Sequence, residues 1–187
     1  MIHDKDLLDR LSDLPRQQFE GVAFRATRIS VDPTASSING GRWTPKPEGD
    51  FGVPALYTSL TREAALAELS SFLASLNPIP RARLVKVTPL MISAARVVTL
   101  QEDTLVALGV DLARYGTRDY ERTQQIGAAL AFLNADGLVA PSPRWKADNL
   151  IVFDENHAIT ERLEAAESDE IDWREWAEEN GILIAGH

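Results

Sequence analysis

The stretch 55-ALYTSLTREAALAELSSFLASL-76 places a short apolar strand directly before an amphipathic helix. Residues 55–58 form an apolar run of strand length that contains Tyr57. Thr61 is a residue type favoured at helix N-caps, and the leucines after it recur at the spacing of one helical face. We therefore predict a buried strand at 55–58 and a helix of about 15 residues that begins at Thr61 and ends near Leu76.

Two polar residues of this stretch allow more than one interpretation. Glu68 lies at the edge of the buried helix face, so it is either a solvated surface glutamate, the usual case, or a carboxylate held in a cleft. Tyr57 is either a core residue whose hydroxyl finds a partner or a ring on which a ligand stacks. The residues alone leave both pairs of alternatives open.

The surrounding sequence alternates strands and helices without a regular period. Apolar patterning predicts helices at 7–14, 103–108, 119–134 and 171–180, and strands at 19–28, 84–87, 97–100, 138–140 and 150–153. Arg25 lies on the polar side of the first of these strands, and Gly137 is the expected stop of the third helix. A turn-rich stretch at 32–54 is long enough to indicate a functional loop. This mixture favours an α+β fold.

Composition sets the class of protein. The chain of 187 residues is 44% hydrophobic and 25% charged, values that favour one globular domain over residues 1–187. No cysteine and only three histidines are present, so we expect no metal site. The net charge of −9 argues against direct binding of nucleic acid. We find no signal peptide and no apolar run long enough to span a membrane, and we expect a cytoplasmic protein.

The turn-rich stretch contains Gly40-Gly41-Arg42-Trp43. Paired glycines let a backbone approach a ligand closely, and the planar fork of an arginine suits a phosphate group. The motif is therefore either a clamp for the phosphates of a dinucleotide or a surface turn followed by a core tryptophan. Ser142, between two prolines, lacks the surroundings of a hydrolase nucleophile.

Five short motifs occur in an order that resembles the RES domain, named for arginine, glutamate and serine. They are Phe24-Arg25, Gly40-Gly41-Arg42-Trp43, Leu56-Tyr57-Thr58, Ala67-Glu68-Leu69 and Pro141-Ser142, with Asn149-Leu150 behind them. The resemblance covers about residues 19–153 and leaves an acidic, helical tail at 159–187 outside it. One departure is Thr44, which stands where the family often has asparagine.

The resemblance implies an ADP-ribosyltransferase-like fold with two packed β-sheets, flanking helices and an NAD⁺ cleft. Arg25, Gly41 and Arg42 would then contact the phosphates and ribose of NAD⁺, and Tyr57 would stack near the nicotinamide. Glu68 would accept a hydrogen bond from the nicotinamide ribose. Ser142 would orient an arginine or the ribose. Arg42, Tyr57 and Glu68 are thus the expected catalytic set.

The resemblance also implies a role. Family members are toxins of bacterial toxin–antitoxin pairs, and their antitoxins resemble Xre-type helix-turn-helix repressors. We expect an enzyme that consumes NAD⁺ by hydrolysis, or by phosphorolysis with inorganic phosphate as co-substrate, and that forms a hetero-oligomer with its antitoxin. Two alternatives stay open: transfer of ADP-ribose to a protein target, and a non-catalytic module that only binds a partner.

Overall fold

The computed structural model describes residues 3–47 and 52–183. Helices and strands follow one another irregularly, which confirms the predicted α+β class. The helices are α1 (Lys5–Ser12), α2 (Arg62–Ala74), α3 (Glu102–Ala107), α4 (Glu121–Phe132) and α5 (Trp173–Glu179). The strands are β1 (Arg16–Arg28), β2 (Ala55–Ser59), β3 (Leu84–Thr99), β4 (Gly137–Pro141), β5 (Asp148–Phe153), β6 (Leu163–Ala165) and β7 (Asp169–Asp172).

The seven strands are hydrogen-bonded into one continuous sheet. Its order is β1-β2-β5-β4-β3-β6, and β1 also pairs with β3, so the first five strands close on themselves. Among the described strands, only β3 and β4 run parallel. The layers expected as two packed sheets are thus parts of one hydrogen-bonded sheet, which the pairing of the long strands β1 and β3 closes. They pair from Arg16 opposite Val98 to Arg28 opposite Val85.

The strand β3 was predicted as two separate strands, and this prediction was wrong. Pro89 lies between the two predicted strands and argues against one continuous strand, because proline cannot donate a ladder hydrogen bond and is normally confined to edges and irregular positions. Here β7 pairs with Leu84–Val87 and β6 with Leu90–Ile92, so Pro89 falls in the gap between these two neighbours. The strand can therefore continue through the proline.

Two further predictions are corrected at helix ends. The helix α4 is followed by Asn134 in a left-handed conformation, with φ of 62°, whereas Gly137 already opens β4. Asparagine is one of the few side chains that tolerate this conformation. The tail beyond residue 159 is not purely helical, because it supplies β6 and β7 before α5. Its helix begins at Trp173 and is capped by Asp172, whose side chain accepts from two backbone N–H groups.

The helix α2 is positioned as the sequence predicted. Thr61 is its N-cap and accepts a hydrogen bond from the backbone N of Ala64 at 3.2 Å. Its buried face contains small alanines beside leucines, which lets the helix lie close to the sheet. Trp173 of α5 is fully buried in the same cluster as Leu66 and Leu73 of α2. The helix is thereby fixed between β1 and α5.

The remaining core lies under α1, α3 and α4 and contains Trp43, which is only 1% exposed. Trp43 belongs to the turn-rich stretch, whose described parts form no helix or strand except for a single bridge between Ser37 and Ala55. Residues 48–51 of this stretch lie outside the described residues. Among the described residues, no helix has both the length and the apolar character that crossing a bilayer requires.

Candidate active site

A cleft of about 710 Å³ opens between α2, the end of β1, β2 and the loop that precedes α4. Its size falls within the range of roughly 300–1,000 Å³ that ligand pockets occupy. Arg25, Gly41, Arg42, Tyr57 and Glu68 all line it. The structure therefore brings together five of the six site residues predicted from sequence, from segments up to 43 residues apart in the chain.

Glu68 is a half-buried residue of the cleft wall and not a freely solvated one. Its Oε1 accepts hydrogen bonds from Ser142 Oγ at 2.7 Å and from Asn149 Nδ2 at 2.8 Å. Ser59 Oγ donates to Asn149 Oδ1 at 2.7 Å, which fixes the amide with its NH₂ group toward the carboxylate. In the described part of the chain, Oε2 makes no hydrogen bond. The carboxylate is thus held in one orientation through one of its oxygens.

Ser142 is the predicted site residue that does not line the cleft. Its hydroxyl donates to Glu68 and accepts from the backbone N–H groups of Arg144 and Trp145 at 3.1 and 3.2 Å. The same loop is closed by a bond from Ser142 N to Ala147 O at 2.8 Å. Ser142 therefore positions Glu68, whereas the resemblance had placed it against an arginine or the ribose.

Tyr57 and Gly41 are in direct contact. Tyr57 Oη accepts a hydrogen bond from Trp43 N at 3.2 Å and shares one with Thr44 Oγ1 at 2.9 Å. Burial raises the pKa of Tyr57, so the phenol is neutral at physiological pH. A Cβ added to Gly41 would stand 2.6 Å from Tyr57 Oη. Glycine is required here by the tyrosine ring, a reason that the sequence did not show.

The guanidinium of Arg42 is stacked between two aromatic rings. It lies 4.8 Å from the ring centroid of Tyr115 and 4.6 Å from that of Tyr120, and Nη2 donates to Thr117 O at 3.1 Å. Nη1 is buried and has no partner among the described residues. Burial lowers the pKa of Arg42, an effect that the nearby tyrosines and Glu68 oppose, and the group remains a cation. Arg42 thus fixes the loop at 115–120 against the cleft.

Arg25, on β1, also uses its side chain to hold a loop. Its Nη1 donates to the carbonyl oxygens of Pro33 and Ala35, at 2.9 and 2.5 Å. Burial lowers the pKa of Arg25, and the charge of Asp32 acts in the opposite direction. One nitrogen of this arginine therefore orders the loop at 33–35.

The helix α4 carries residues that hold the glycine–arginine loop in place. Thr123 Oγ1 donates to Arg42 O at 2.7 Å, and Gln124 Nε2 donates to Gly41 O at 2.8 Å. A Cβ on Gly127 would stand 1.8 Å from Trp43 O, so this helix can approach the loop only through a glycine. These contacts are the physical basis of the cleft's shape on this side.

Charge in the cleft contrasts with charge of the whole chain. Among the described lining residues, Glu68 is the one carboxylate. Six cations line the same cleft: Arg25, Arg28, Arg42, Lys46, Arg118 and Arg144. The chain as a whole carries −9. Because salt screens charges beyond about 10 Å, these nearby cations dominate the potential that a bound ligand experiences. The cleft suits an anionic ligand.

Sequence reasoning missed several residues of this site. Tyr115, Tyr120 and Arg144 come from loops, and Asn149 was noted only as part of the resemblance. Asn149 reaches Glu68 because β5 pairs with β2 so that Asn149 lies opposite Ser59. Strand register of this kind is not visible in a single sequence. The aromatic residues at 115 and 120, close behind each other before a helix, were the available signal for a cation partner.

Two other observations concern a second cavity and the possibility of a metal site. A smaller cavity of about 290 Å³ also touches Arg42 and Tyr115, but neither Glu68 nor Tyr57 lines it. In residues 3–47 and 52–183, no group of three or more histidine, aspartate or glutamate side chains is arranged to hold a metal ion. The larger cleft is therefore the candidate active site, and independence from metal stays a prediction.

Comparisons with known proteins agree with the motif order. No curated protein matches the sequence significantly. The crystal structure of the M. tuberculosis MbcT–MbcA toxin–antitoxin complex contains a chain similar in fold, with a TM-score of 0.74 and 19% identity over 94% of this chain and 97% of that one. This likeness confirms the predicted ADP-ribosyltransferase-like α+β fold. The RES domain model matches residues 12–174, a span that exceeds the resemblance seen by motif and includes β6 and β7. The chain belongs to the RES domain family.

Proposed function

We propose that this protein is an enzyme that cleaves the bond between nicotinamide and ribose in NAD⁺. The observation that carries the proposal is a carboxylate, Glu68, held by Ser142 and Asn149 in the wall of a cleft whose other charged lining residues are all cations. A dinucleotide offers two phosphate charges to those cations and a ribose to that carboxylate. The family resemblance supports the same assignment.

The chemistry asks little of the protein beyond placement and charge. As the glycosidic C–N bond breaks, its electron pair leaves with the nicotinamide nitrogen and positive charge develops on the ribose. A fixed carboxylate beside the sugar stabilises that charge. Water or inorganic phosphate then forms a bond to the anomeric carbon, and an attacking water gives up one proton to solvent. Glu68 acts in this scheme as an electrostatic stabiliser and hydrogen-bond acceptor.

We further propose that the enzyme is the toxin of a toxin–antitoxin pair that arrests growth by depleting NAD⁺. Support comes from the family and from the fold likeness to a chain of a toxin–antitoxin complex. The partner in this proposal is an antitoxin with an Xre-like helix-turn-helix domain, and the two form a hetero-oligomer in the cytoplasm. With a net charge of −9, the toxin alone is not expected to bind DNA, whereas the complex would bind it through the antitoxin.

Incubation of the purified protein with NAD⁺, with and without phosphate, tests this function. ADP-ribose would indicate hydrolysis, ADP-ribose-1″-phosphate would indicate phosphorolysis, and a labelled protein would indicate transfer to a protein target. NAD⁺ that stays intact under all conditions would refute the enzymatic proposal and leave the partner-binding module.

The decisive variant is Glu68→Gln, which keeps the shape and an oxygen for both hydrogen bonds but removes the charge. We expect NAD⁺ turnover to fall by a factor of about 10² or more with normal folding. Glu63→Gln is the matched control, because Glu63 is an exposed residue of the same helix. Full activity of Glu68→Gln would rule out the role assigned to this carboxylate.

A further inference from the structure

The two arginines that the resemblance assigns to phosphate binding each hold a loop of the protein through hydrogen bonds to backbone carbonyl oxygens. Arg42 is covered by two tyrosine rings, its Nη1 is buried, and its Nη2 donates to Thr117 O. Arg25 uses Nη1 to hold two loop carbonyls. Arg118 of the same cleft donates to Ser75 Oγ at the end of α2. Each of these three arginines thus holds part of the protein before any ligand binds, so a half-buried cation without such a bond is more readily available to a phosphate group.

Arg144 is the half-buried cation of the cleft whose side chain makes no hydrogen bond or ion pair within the described residues. Its backbone N–H donates to Ser142 Oγ at 3.1 Å, and the same hydroxyl donates to Glu68. Arg144 is thus attached to the group that holds the proposed catalytic carboxylate. Arg144 lines the cleft, and the hydrogen bond of its backbone to Ser142 holds it there.

The loop that carries Arg144 is braced on both sides. Within it, Ser142 N donates to Ala147 O at 2.8 Å and Ala147 N donates to Trp145 O at 2.9 Å. The ring of Trp145 packs on that of Trp176, with 5.7 Å between centroids. A charged side chain on such a loop loses less conformational entropy on binding than one on a mobile loop.

Arg144 and Arg42 are close enough that the charge of Arg144 contributes to lowering the pKa of Arg42, after the larger effect of burial. Two partly buried like charges repel each other, and an anion between them offsets that repulsion. A guanidinium binds a phosphate through two parallel N–H donors, which a lysine cannot do. The charge of the site and the donor pattern of a guanidinium therefore both suit a phosphate group.

We propose that Arg144 binds a phosphate group of the substrate or co-substrate directly beside Glu68. This inference rests on the proposed function for the identity of the ligand, but not for the existence of the anion site. Two sources share the chemistry: the diphosphate of a dinucleotide and free inorganic phosphate that attacks the ribose. In this loop only Ser142 was a predicted site residue, and Arg144 had no predicted role.

Calorimetric titration of ADP-ribose and of inorganic phosphate into the wild-type protein, Arg144→Gln and Arg81→Gln tests the inference. Arg81 is an exposed arginine outside the cleft, so its variant makes the same change of net charge. We expect Arg144→Gln to weaken binding by about ten- to a hundredfold, the range of a lost charge-assisted pair, and Arg81→Gln to have no effect. Arg144→Lys, which keeps the charge and loses the fork, should fall between the two.

The results separate the sources and the two proposals. Weaker binding of ADP-ribose assigns Arg144 to the diphosphate, and weaker binding of phosphate alone assigns it to the free anion. Equal affinities in Arg144→Gln and Arg81→Gln, or a wild-type protein that binds neither ligand, would overturn the anion site. Anion binding that depends on Arg144 in a protein that leaves NAD⁺ intact would refute the proposed function and keep the site. Thermal unfolding of each variant checks that folding is unchanged.

Discussion

Substitution of Gly41 by alanine tests whether the cleft is built around Tyr57 or around a ligand. The new Cβ would lie 2.6 Å from Tyr57 Oη, 2.7 Å from Cζ and 3.2 Å from Cε1, all shorter than ordinary van der Waals contact. The tyrosine cannot easily turn away, because its hydroxyl is hydrogen-bonded to Trp43 N and Thr44 Oγ1. Either the ring or the loop must therefore move by several tenths of an ångström.

The expected cost follows from these contacts. Overpacking of a well-packed site costs about 1–3 kcal/mol, and a weakened hydrogen bond to a buried N–H adds about 1 kcal/mol. We expect Gly41→Ala to lower the free energy of unfolding in urea by about 2–4 kcal/mol. Gly116→Ala is the control, because a Cβ there would meet no atom within 4 Å. Affinity for NAD⁺ should fall as well, since Arg42 follows Gly41 directly.

A double-mutant cycle with Tyr57→Ala completes the test. Removal of the ring removes the clash, so Gly41→Ala should cost less than about 1 kcal/mol in that background, and the two effects should be clearly non-additive. Additive effects, or a Gly41→Ala protein as stable as Gly116→Ala, would refute the steric explanation. A stable Gly41→Ala protein that has lost only NAD⁺ affinity would instead support close approach of the ligand to the glycine.

Two further predictions concern the carboxylate and the partner. Asn149→Asp replaces the amide that donates to Glu68 with a second carboxylate, so repulsion replaces that hydrogen bond and NAD⁺ turnover should fall further than in Asn149→Leu, which only removes the bond; wild-type turnover in Asn149→Asp would contradict the contact. If the antitoxin neutralises the toxin by filling the cleft, the antitoxin and NAD⁺ exclude each other, so NAD⁺ should weaken the apparent affinity of the antitoxin for the Glu68→Gln protein in a calorimetric series. An antitoxin affinity that is independent of NAD⁺ would mean that the antitoxin docks elsewhere.

The elements that could be predicted from the sequence are those whose own residues carry an apolar pattern or a helix cap. The strand β2 and the helix α2 were recognised from an apolar run, a cap and leucine spacing, and the structure places both within two residues of the prediction. The strands β6 and β7 were missed because they are short, polar and mostly exposed, and only the adjacent edge of β3 stabilises them. The residues of β6 and β7 therefore show no periodic pattern that would predict their pairing with β3.

The candidate site also contains residues that could be identified before the structure was known and residues that only the complete sheet brings together. The resemblance placed Glu68 and Tyr57 in one cleft, and both do line it. Asn149 and Ser142 reach Glu68 because β5 pairs with both β2 and β4, which is a consequence of the complete sheet. The resemblance to a family identified the carboxylate, but the residues that orient it became visible only with the register of the strands.

The arginines illustrate why residue type alone does not assign a phosphate ligand. An arginine carries five N–H donors, and its value to a ligand depends on how many of them the protein already uses. Arg42 and Arg25 hold the loops at 115–120 and 33–35 through bonds that exist without substrate. Loss of either side chain would therefore deform the cleft as well as remove a charge, so reduced NAD⁺ affinity in such variants would not by itself show contact with phosphate. Arg144 makes no comparable side-chain bond within the described residues, so its removal leaves the hydrogen bonds of Ser142 and Glu68 in place. A change of anion affinity in its variants can for that reason be attributed to the lost guanidinium.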